Sequence, residues 1–288
     1  MSKRNKSVIL VLILMATLIV SCFSYERSVS LKAAISARES VRDFSPIPLT
    51  TESKELINKL VEDVNYKSRL TIEFIEDNKD IVDSASFPRF SNVRSMLVMK
   101  GIKGDEDLKE KVGYYGEEIV LNLVSRDLGT CWVGGAFHRD LIEVPEGEEL
   151  VCLILVGNTY NLVENKAITN RDRKPLSDRI TIEKAEEEVD LESIGKMISV
   201  REYPKWIDYG LEAVVEAPSA MNSQKPMVNY NAKDNTVTMS VEESDDDMSQ
   251  FNLVDLGIAK KHFEVGTGKG HFELGNGAKF ILHCYEYT

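Results

Sequence analysis

The sequence predicts a protein of mixed helices and strands, built as two fused halves. Two observations carry that expectation. Segments with apolar residues at helical spacing alternate with short runs at strand spacing. A motif also recurs: Ser40-Val41-Arg42-Asp43-Phe44 is echoed by Ser199-Val200-Arg201-Glu202-Tyr203, each followed by Pro and then a helix. Each copy leads to a long helix near Gly116 or Gly257, with a further glycine at Gly129 or Gly270, and then to an apolar strand, Leu150–Val156 or Phe280–Tyr285. Repetition of element order, more than the five similar residues, argues for duplication.

The N-terminus reads as an address. Lys3, Arg4 and Lys6 precede an unbroken apolar run from Val8 to Val20, too short to span a bilayer comfortably but suited to a signal peptide. Ile19-Val20-Ser21-Cys22 resembles the bacterial lipobox, which implies cleavage of residues 1–21 and lipidation of Cys22; an uncleaved anchor with an incidental Cys is the alternative. The expectation is an exported lipoprotein on a bacterial cell membrane, with residues 22–30 as tether, 31–177 as the first half, 178–193 as a linker and 194–288 as the second half.

Within the first half a helix is expected from Leu31 to Glu39, closed by Ser40–Phe44 before Pro46 and Pro48. Thr51 or Ser53 would cap a second helix carrying Leu56, Ile57, Leu60, Val61 and Val64. Leu70–Ile75 alternates as a strand, and Ser95–Ile102 reads as a more buried one. Asp105–Asp127 is the strongest helical segment, with Gly129 as its C-terminal stop. The apolar run Thr130-Cys131-Trp132-Val133 ends in Gly134-Gly135, and Leu150–Val156 is a buried strand ending at Gly157.

The charged stretch 178–192 reads as a connection. Ile194–Val200 and Trp206–Val215 are expected helices. Met227–Asn231 and Thr236–Val241 form a hairpin through Asp234-Asn235. Glu242–Asp247 reads as an acidic surface loop, Phe251–Val265 as an amphipathic helix, and Lys279–Tyr287 as a closing strand.

Composition bounds the function. The chain has 288 residues, and its 43% hydrophobic and 28% charged content is that of a folded globular protein. A formal charge of −12 argues against nonspecific nucleic-acid binding, though not against a local basic pocket. After Cys22, only Cys131, Cys152 and Cys284 remain, which gives neither a disulfide framework nor metal-ligand spacing. Cys131 and Cys152 sit in apolar runs and read as core. The four histidines, at 138, 262, 271 and 283, show no metal or triad spacing and read as structural.

Four pieces remain as candidate chemistry. Arg38-x-Ser40-x-Arg42 offers two guanidinium forks and a hydroxyl, suited to phosphate oxygens, or else a solvated helix end. Arg171-x-Arg173-Lys174 is a second basic cluster, or a surface loop. Gly134-Gly135 could bring bare backbone against a flat ligand, or form a turn. Ala217-Pro218-Ser219-Ala220-Met221-Asn222-Ser223-Gln224 is a small-residue stretch with an amide side chain, a ligand wall or a helix-ending turn.

Together these pieces resemble the nitroreductase superfamily. Ile35–Phe44 is similar to its opening signature, Ala217–Gln224 to its second, and Tyr115–Gly135 to its long helix and flavin-facing loop. The resemblance implies an α+β fold with mainly antiparallel sheets flanked by helices. Ordinary members carry the two signatures one helix apart and trade them across a dimer; here they lie in different halves, as in the tandem branch whose single chain folds as an intramolecular pseudo-dimer. Each half lacks what the other retains, which implies one composite FMN site and no need of an oligomer. By resemblance Arg38, Ser40, Arg42, Arg171 and Arg173 would hold the phosphate and ribityl chain. Gly134 and Gly135 would lie against the isoalloxazine. Pro218, Ser219, Ala220 and Asn222 would close the site. The implied reaction is hydride transfer from NAD(P)H through flavin N5 to a small-molecule acceptor, with no metal and no assigned acid or base. Gly266–Gly270 supplies no dinucleotide fingerprint, because it follows a helix and not a strand. The competing reading is a flavin-free relative acting as a surface-tethered binding or structural lipoprotein, favoured by an exported location poor in NAD(P)H and by Lys225 where the family usually continues Gln-Pro.

Overall fold

The computed structural model describes residues 31–160, 172–183, 203–245 and 248–283. The signal peptide, Cys22, Arg171, the second Ser-Val-Arg motif, the helix expected at Ile194–Val200 and Cys284 lie outside the described residues. Among the described residues no helix is long and apolar enough to cross a membrane.

The first half opens with α1 (Leu31–Ala37) and α2 (Thr51–Ser68). Thr50 caps α2, its hydroxyl accepting from the Ser53 amide at 3.2 Å, in place of the expected Thr51 or Ser53. Arg69 stops α2 in the left-handed region, so β1 is confined to Glu73–Ile75 and the expected strand from Leu70 is shortened. Leu70 and Ile72 still point into the core, and Thr71 bonds the Lys100 carbonyl at 2.9 Å. β2 (Ser95–Ile102), α3 (Leu108–Val124), β3 (Leu128–Val133) and β4 (Glu148–Asn158) follow. The left-handed residue after α3 is Asp127, not Gly129. Gly129 lies inside β3 opposite Gly157, where a Cβ would fall 2.7 Å from Thr159 and 3.0 Å from Val41, so its smallness serves packing.

The stretch read as a linker contains a 3-10 turn, Leu176–Arg179, and a strand, β5 (Ile180–Glu183). The alternation Ile180-Thr181-Ile182-Glu183 is short but enough to add β5 parallel to β6. The second half continues with α4 (Trp206–Glu216), the hairpin β6 (Met227–Asn231) and β7 (Thr236–Ser240), α5 (Asn252–Thr267), β8 (Gly270–Phe272) and β9 (Phe280–Leu282). The described part of the expected closing strand is three residues, and its partner β8 is not expected from the sequence because only two residues separate it from α5.

The four-stranded sheet runs β1-β2-β4-β3, antiparallel throughout. In the second half β6 pairs with β7 and β8 with β9, and an antiparallel bridge from Thr238 to Lys279 links β7 to β9. Neighbours there follow the order β6-β7-β9-β8, which repeats that of the first half.

The core centres on α3 against α5. A Cβ on Gly113 would fall 2.0 Å from the Val254 carbonyl oxygen, and one on Gly257 would fall 2.1 Å from that of Glu110. Only glycine permits that approach. With α4 on its other side, α5 is buried around most of its circumference, including Asp255, Lys260, Lys261 and His262. The expectation of an amphipathic helix fails here, because these polar residues meet partners inside and not water. Lys260 pairs with Glu110 at 2.5 Å and donates to the Glu273 and Gly275 carbonyls at 3.0 and 2.8 Å. Glu110 also accepts from the Gly275 amide at 3.0 Å. His262 contacts Glu117 at 2.9 Å and the Ala213 carbonyl at 2.9 Å, and the Trp132 indole donates to the other Glu117 oxygen at 2.8 Å.

Candidate functional site

A cavity of about 800 Å³, a size typical of small-molecule sites, is lined by residues from widely separated parts of the chain, from Arg38 to Ile258. Its first wall follows from strand pairing. As the chain leaves α1, Ser40 forms a parallel bridge with Thr130, and the Val41 amide donates to the Thr130 carbonyl at 2.9 Å. The Arg38–Arg42 motif is thereby sewn to β3, whose end carries Gly134 and Gly135. Arg38, Ser40, Arg42, Gly134 and Gly135 all line the cavity. Arg38 is buried, while Arg42 is exposed and reaches the Ser40 carbonyl at 3.4 Å. Buried Cys131 lies among them: burial raises its thiol pKa, and the charges of Arg42, Arg38 and Arg89 oppose that rise.

The two glycines differ. A Cβ on Gly134 would fall 2.5 Å from the ring of Phe251, so that glycine admits an aromatic ring from α5's leading turn. At Gly135 a Cβ would meet nothing within 4 Å, which leaves open space beside the backbone.

The second wall comes from Ala217–Gln224, of which Pro218, Ser219, Ala220, Met221 and Asn222 line the cavity. α4 ends at Glu216, and Ala220–Asn222 forms a 3-10 turn. Met221, Asn222 and Gln224 have φ of 50°, 57° and 52°, a region that costs an ordinary L-residue roughly 1–2 kcal/mol. Several bonds hold this shape. The Asp255 carboxylate accepts from the Ala220 amide at 3.0 Å and from the Ser223 hydroxyl at 3.4 Å. Ser219 Oγ accepts from the Gln224 amide at 2.9 Å, and Gln224 Oε1 from the Lys174 amide at 2.8 Å. Arg173, also a lining residue, donates to Asn222 Oδ1 at 2.5 Å and to the Glu216 carbonyl at 3.1 Å. The stretch is therefore more than a helix-ending turn: it is a strained segment tied to the cavity by side chains from 172–174 and α5.

Ten of the eleven residues proposed for cofactor binding from the sequence line this one cavity; the eleventh, Arg171, lies outside the described residues. The lining residues not expected from the sequence include Phe251, Arg89 and Asp255. Asp255 left a signal, as a lone acid inside the apolar run Leu253-Val254-Asp255-Leu256. Burial pushes its carboxyl up to about 7, against the pull of the Ala220 amide, the Ser223 hydroxyl, Lys225 and Arg179. Arg179 is itself buried, with Nε and Nη1 lacking hydrogen-bond partners among the described residues, and burial lowers its pKa to about 10. Of the histidines, His262 is buried in the interhelical network, His138 contacts Asp83 at 2.8 Å, and His271 and His283 contact each other at 2.9 Å. Among the described residues no group of three or more His, Cys, Asp or Glu is placed to hold a metal ion.

Comparison with known proteins gives a consistent result. The family model described as "Putative TM nitroreductase" matches residues 30–267. A Thermotoga maritima crystal structure described as that of a "putative nitroreductase" is 24% identical, covers 88% of this chain and 94% of its own, and superposes with a TM-score of 0.53. An FMN-dependent nitroreductase of Clostridium difficile is 18% identical over 48% of this chain and 91% of its own, with a TM-score of 0.38. No curated protein matches the chain significantly.

Proposed function

The chain belongs to the nitroreductase family, and on that premise we propose that it is an FMN-dependent oxidoreductase with one composite site, closed by both halves of an intramolecular pseudo-dimer. The observation that carries this reading is the convergence, in one cavity, of Arg38, Ser40, Arg42, Gly134 and Gly135 from one half with Pro218–Asn222 from the other. The repeated strand order β1-β2-β4-β3 and β6-β7-β9-β8 supports the pseudo-dimer.

The donor set suits FMN. Arg38, Ser40 and Arg42, with Arg171 and Arg173, offer charge-assisted bonds for a phosphate and its ribityl chain. The open space beside Gly135 suits the approach of a flat ring. Bound FMN would supply two-electron hydride transfer between NAD(P)H and an acceptor. The protein's part is to bind, orient and shield. Arg38 brings a buried cation to the cavity floor. Asp255 and Arg173 hold the strained Ala220–Asn222 turn in place as the second wall. Phe251, seated on Gly134, excludes water from that side.

The flavin-free alternative has one observation in its favour: the Phe251 ring takes the space over Gly134. FMN binding to the purified chain separates the two readings. Arg38→Ala in the first half and Asn222→Ala in the second should each weaken FMN, Arg38→Ala by about 2–3 kcal/mol as expected for a hydrogen bond to a charged group. Loss from one side only would refute the composite site. We also propose that the chain is exported and anchored through lipidated Cys22, on the strength of the basic start, the apolar run and the lipobox-like Val20-Ser21-Cys22.

A further inference from the structure

We propose that Arg89 selects the second ligand of the cavity, the molecule that exchanges electrons there, by pairing with a carboxylate or similar single anionic group on a flat aromatic body. The inference rests on the flavin reading above and adds to it a substrate class.

The cavity has a floor and a rim. Arg38, Cys152 and Asp255 are buried, whereas Arg42, Arg89 and Met221 are exposed. The guanidinium groups divide the same way. Arg38 lies at the floor, and Arg173 is engaged with Asn222 and Glu216. Arg89 makes no hydrogen bond or ion pair among the described residues and lies 5.2 Å from the Phe90 ring centre. It stands outside both sequence motifs, so the phosphate reading leaves it without a task.

The backbone that carries Arg89 is held in place. Its loop is fixed at both ends. The Ser91 amide donates to the Arg42 carbonyl at 2.9 Å, and Asp43 bridges Ser91, which sets Arg89 beside Arg42. On the other side Asp83 accepts from the Ala85 and Ser86 amides at 2.9 and 2.8 Å and contacts His138 at 2.8 Å. The Ser86 amide and then His138 hold the Asp83 carboxyl down at about 2, so the clasp stays ionised across the working range. The Phe87 amide reaches the Asp83 carbonyl and the Phe90 amide the Phe87 carbonyl, each at 2.9 Å. A tethered loop presents a cation with less ordering cost on binding than a free side chain would incur.

Two further facts define what Arg89 would meet. The chain carries a formal charge of −12, yet among the described residues four arginines and a single carboxylate, Asp255, line this cavity. An isolated positive mouth on an acidic protein attracts anions selectively. The lining that Arg89 shares includes Phe87, Phe251, Met221 and Met248, flat or adaptable apolar groups suited to an aromatic face. An apolar lining with a rim cation that the phosphate reading does not use fits an aromatic carboxylate better than a neutral arene.

The test uses the full chain loaded with FMN. Binding of benzoate and of benzyl alcohol is measured through the fluorescence of Trp132, which lines the cavity, and reduction of 4-nitrobenzoate and 4-nitrobenzyl alcohol is compared by kcat/KM. The wild type should favour both anions. Arg89→Ala should weaken benzoate and lower kcat/KM for 4-nitrobenzoate by about tenfold, as for loss of one charge-assisted contact, with the alcohols changed less than about twofold. Arg89→Lys should retain part of the preference, and added salt should erode it. An unchanged anion-to-alcohol ratio in Arg89→Ala would overturn the inference and leave the flavin reading standing. Loss of FMN affinity in Arg89→Ala would also overturn it, by assigning Arg89 to the cofactor. A wild-type chain that binds no FMN would remove the flavin reading and this inference with it.

Discussion

Replacing Asp255 with Asn should make the protein more stable, and by a clearly larger margin at pH 8 than at pH 5. The reason lies in the carboxyl's position. Asp255 is 3% exposed, and burial raises its pKa from 3.8 to about 7. The charged groups that act on it are Lys225 and Arg179, and its own charge raises the pKa of the Cys152 thiol in β4. Because the folded pKa is above the unfolded one, the folded state holds the proton more tightly between these values. Stability should therefore fall as pH rises from about 4 through about 7. The whole shift corresponds to about 4 kcal/mol as a ceiling, of which about 2–3 kcal/mol falls between pH 5 and pH 8. Asparagine is nearly isosteric, keeps an acceptor for the Ala220 amide, and cannot ionise. Urea unfolding of both proteins at several pH values isolates the effect, since every other titrating group is shared. The gap in unfolding free energy, variant minus wild type, should widen by that amount from pH 5 to pH 8. A gap that stays constant across the range would show that the Asp255 carboxylate is not destabilised by its site, and would refute the argument.

Other consequences follow from the same structure. Lys260→Met strands Glu110, whose partners lie deep between α3 and α5, and should cost about 3–5 kcal/mol, whereas Lys260→Met with Glu110→Leu should recover much of that loss in urea titrations. Gly257→Ala drives a methyl group into the Glu110 carbonyl and should destabilise by at least about 1–3 kcal/mol, measured as a lower thermal midpoint. Cys22→Ser should move the expressed chain from the membrane fraction to the soluble one and abolish incorporation of labelled fatty acid; retention of both would remove the lipoprotein proposal.

The motifs were legible because each couples chemistry to local structure. Arg38-x-Ser40-x-Arg42 ends a helix, and Gly134-Gly135 ends an apolar strand, so local pattern placed them close to where the backbone puts them. The hairpin through Asn235 was equally plain, since that residue takes the left-handed conformation its turn requires. What stayed hidden depends on contacts between distant segments. Asp255 and Lys260 read as the polar side of a surface helix until Gly113 and Gly257 allow α3 to cover them. β5 looked like part of a charged connection because its only partner, β6, is some fifty residues away. Arg89 belongs to no motif and acquires its place through Ser91, which pairs with Arg42 and Asp43. Residue preference favours Gly129 as the stop after α3, yet Asp127 takes the left-handed turn and the glycine serves packing against Val41.

The central claim is one flavin site shared by two halves of a single chain. Titration of the purified full-length protein with FMN, followed by flavin absorbance and fluorescence, tests it most directly. Saturation is expected at one FMN per chain, with a chain that remains monomeric. Failure to bind FMN would contradict it in favour of a flavin-free relative, and saturation at two FMN per chain would contradict the single composite site.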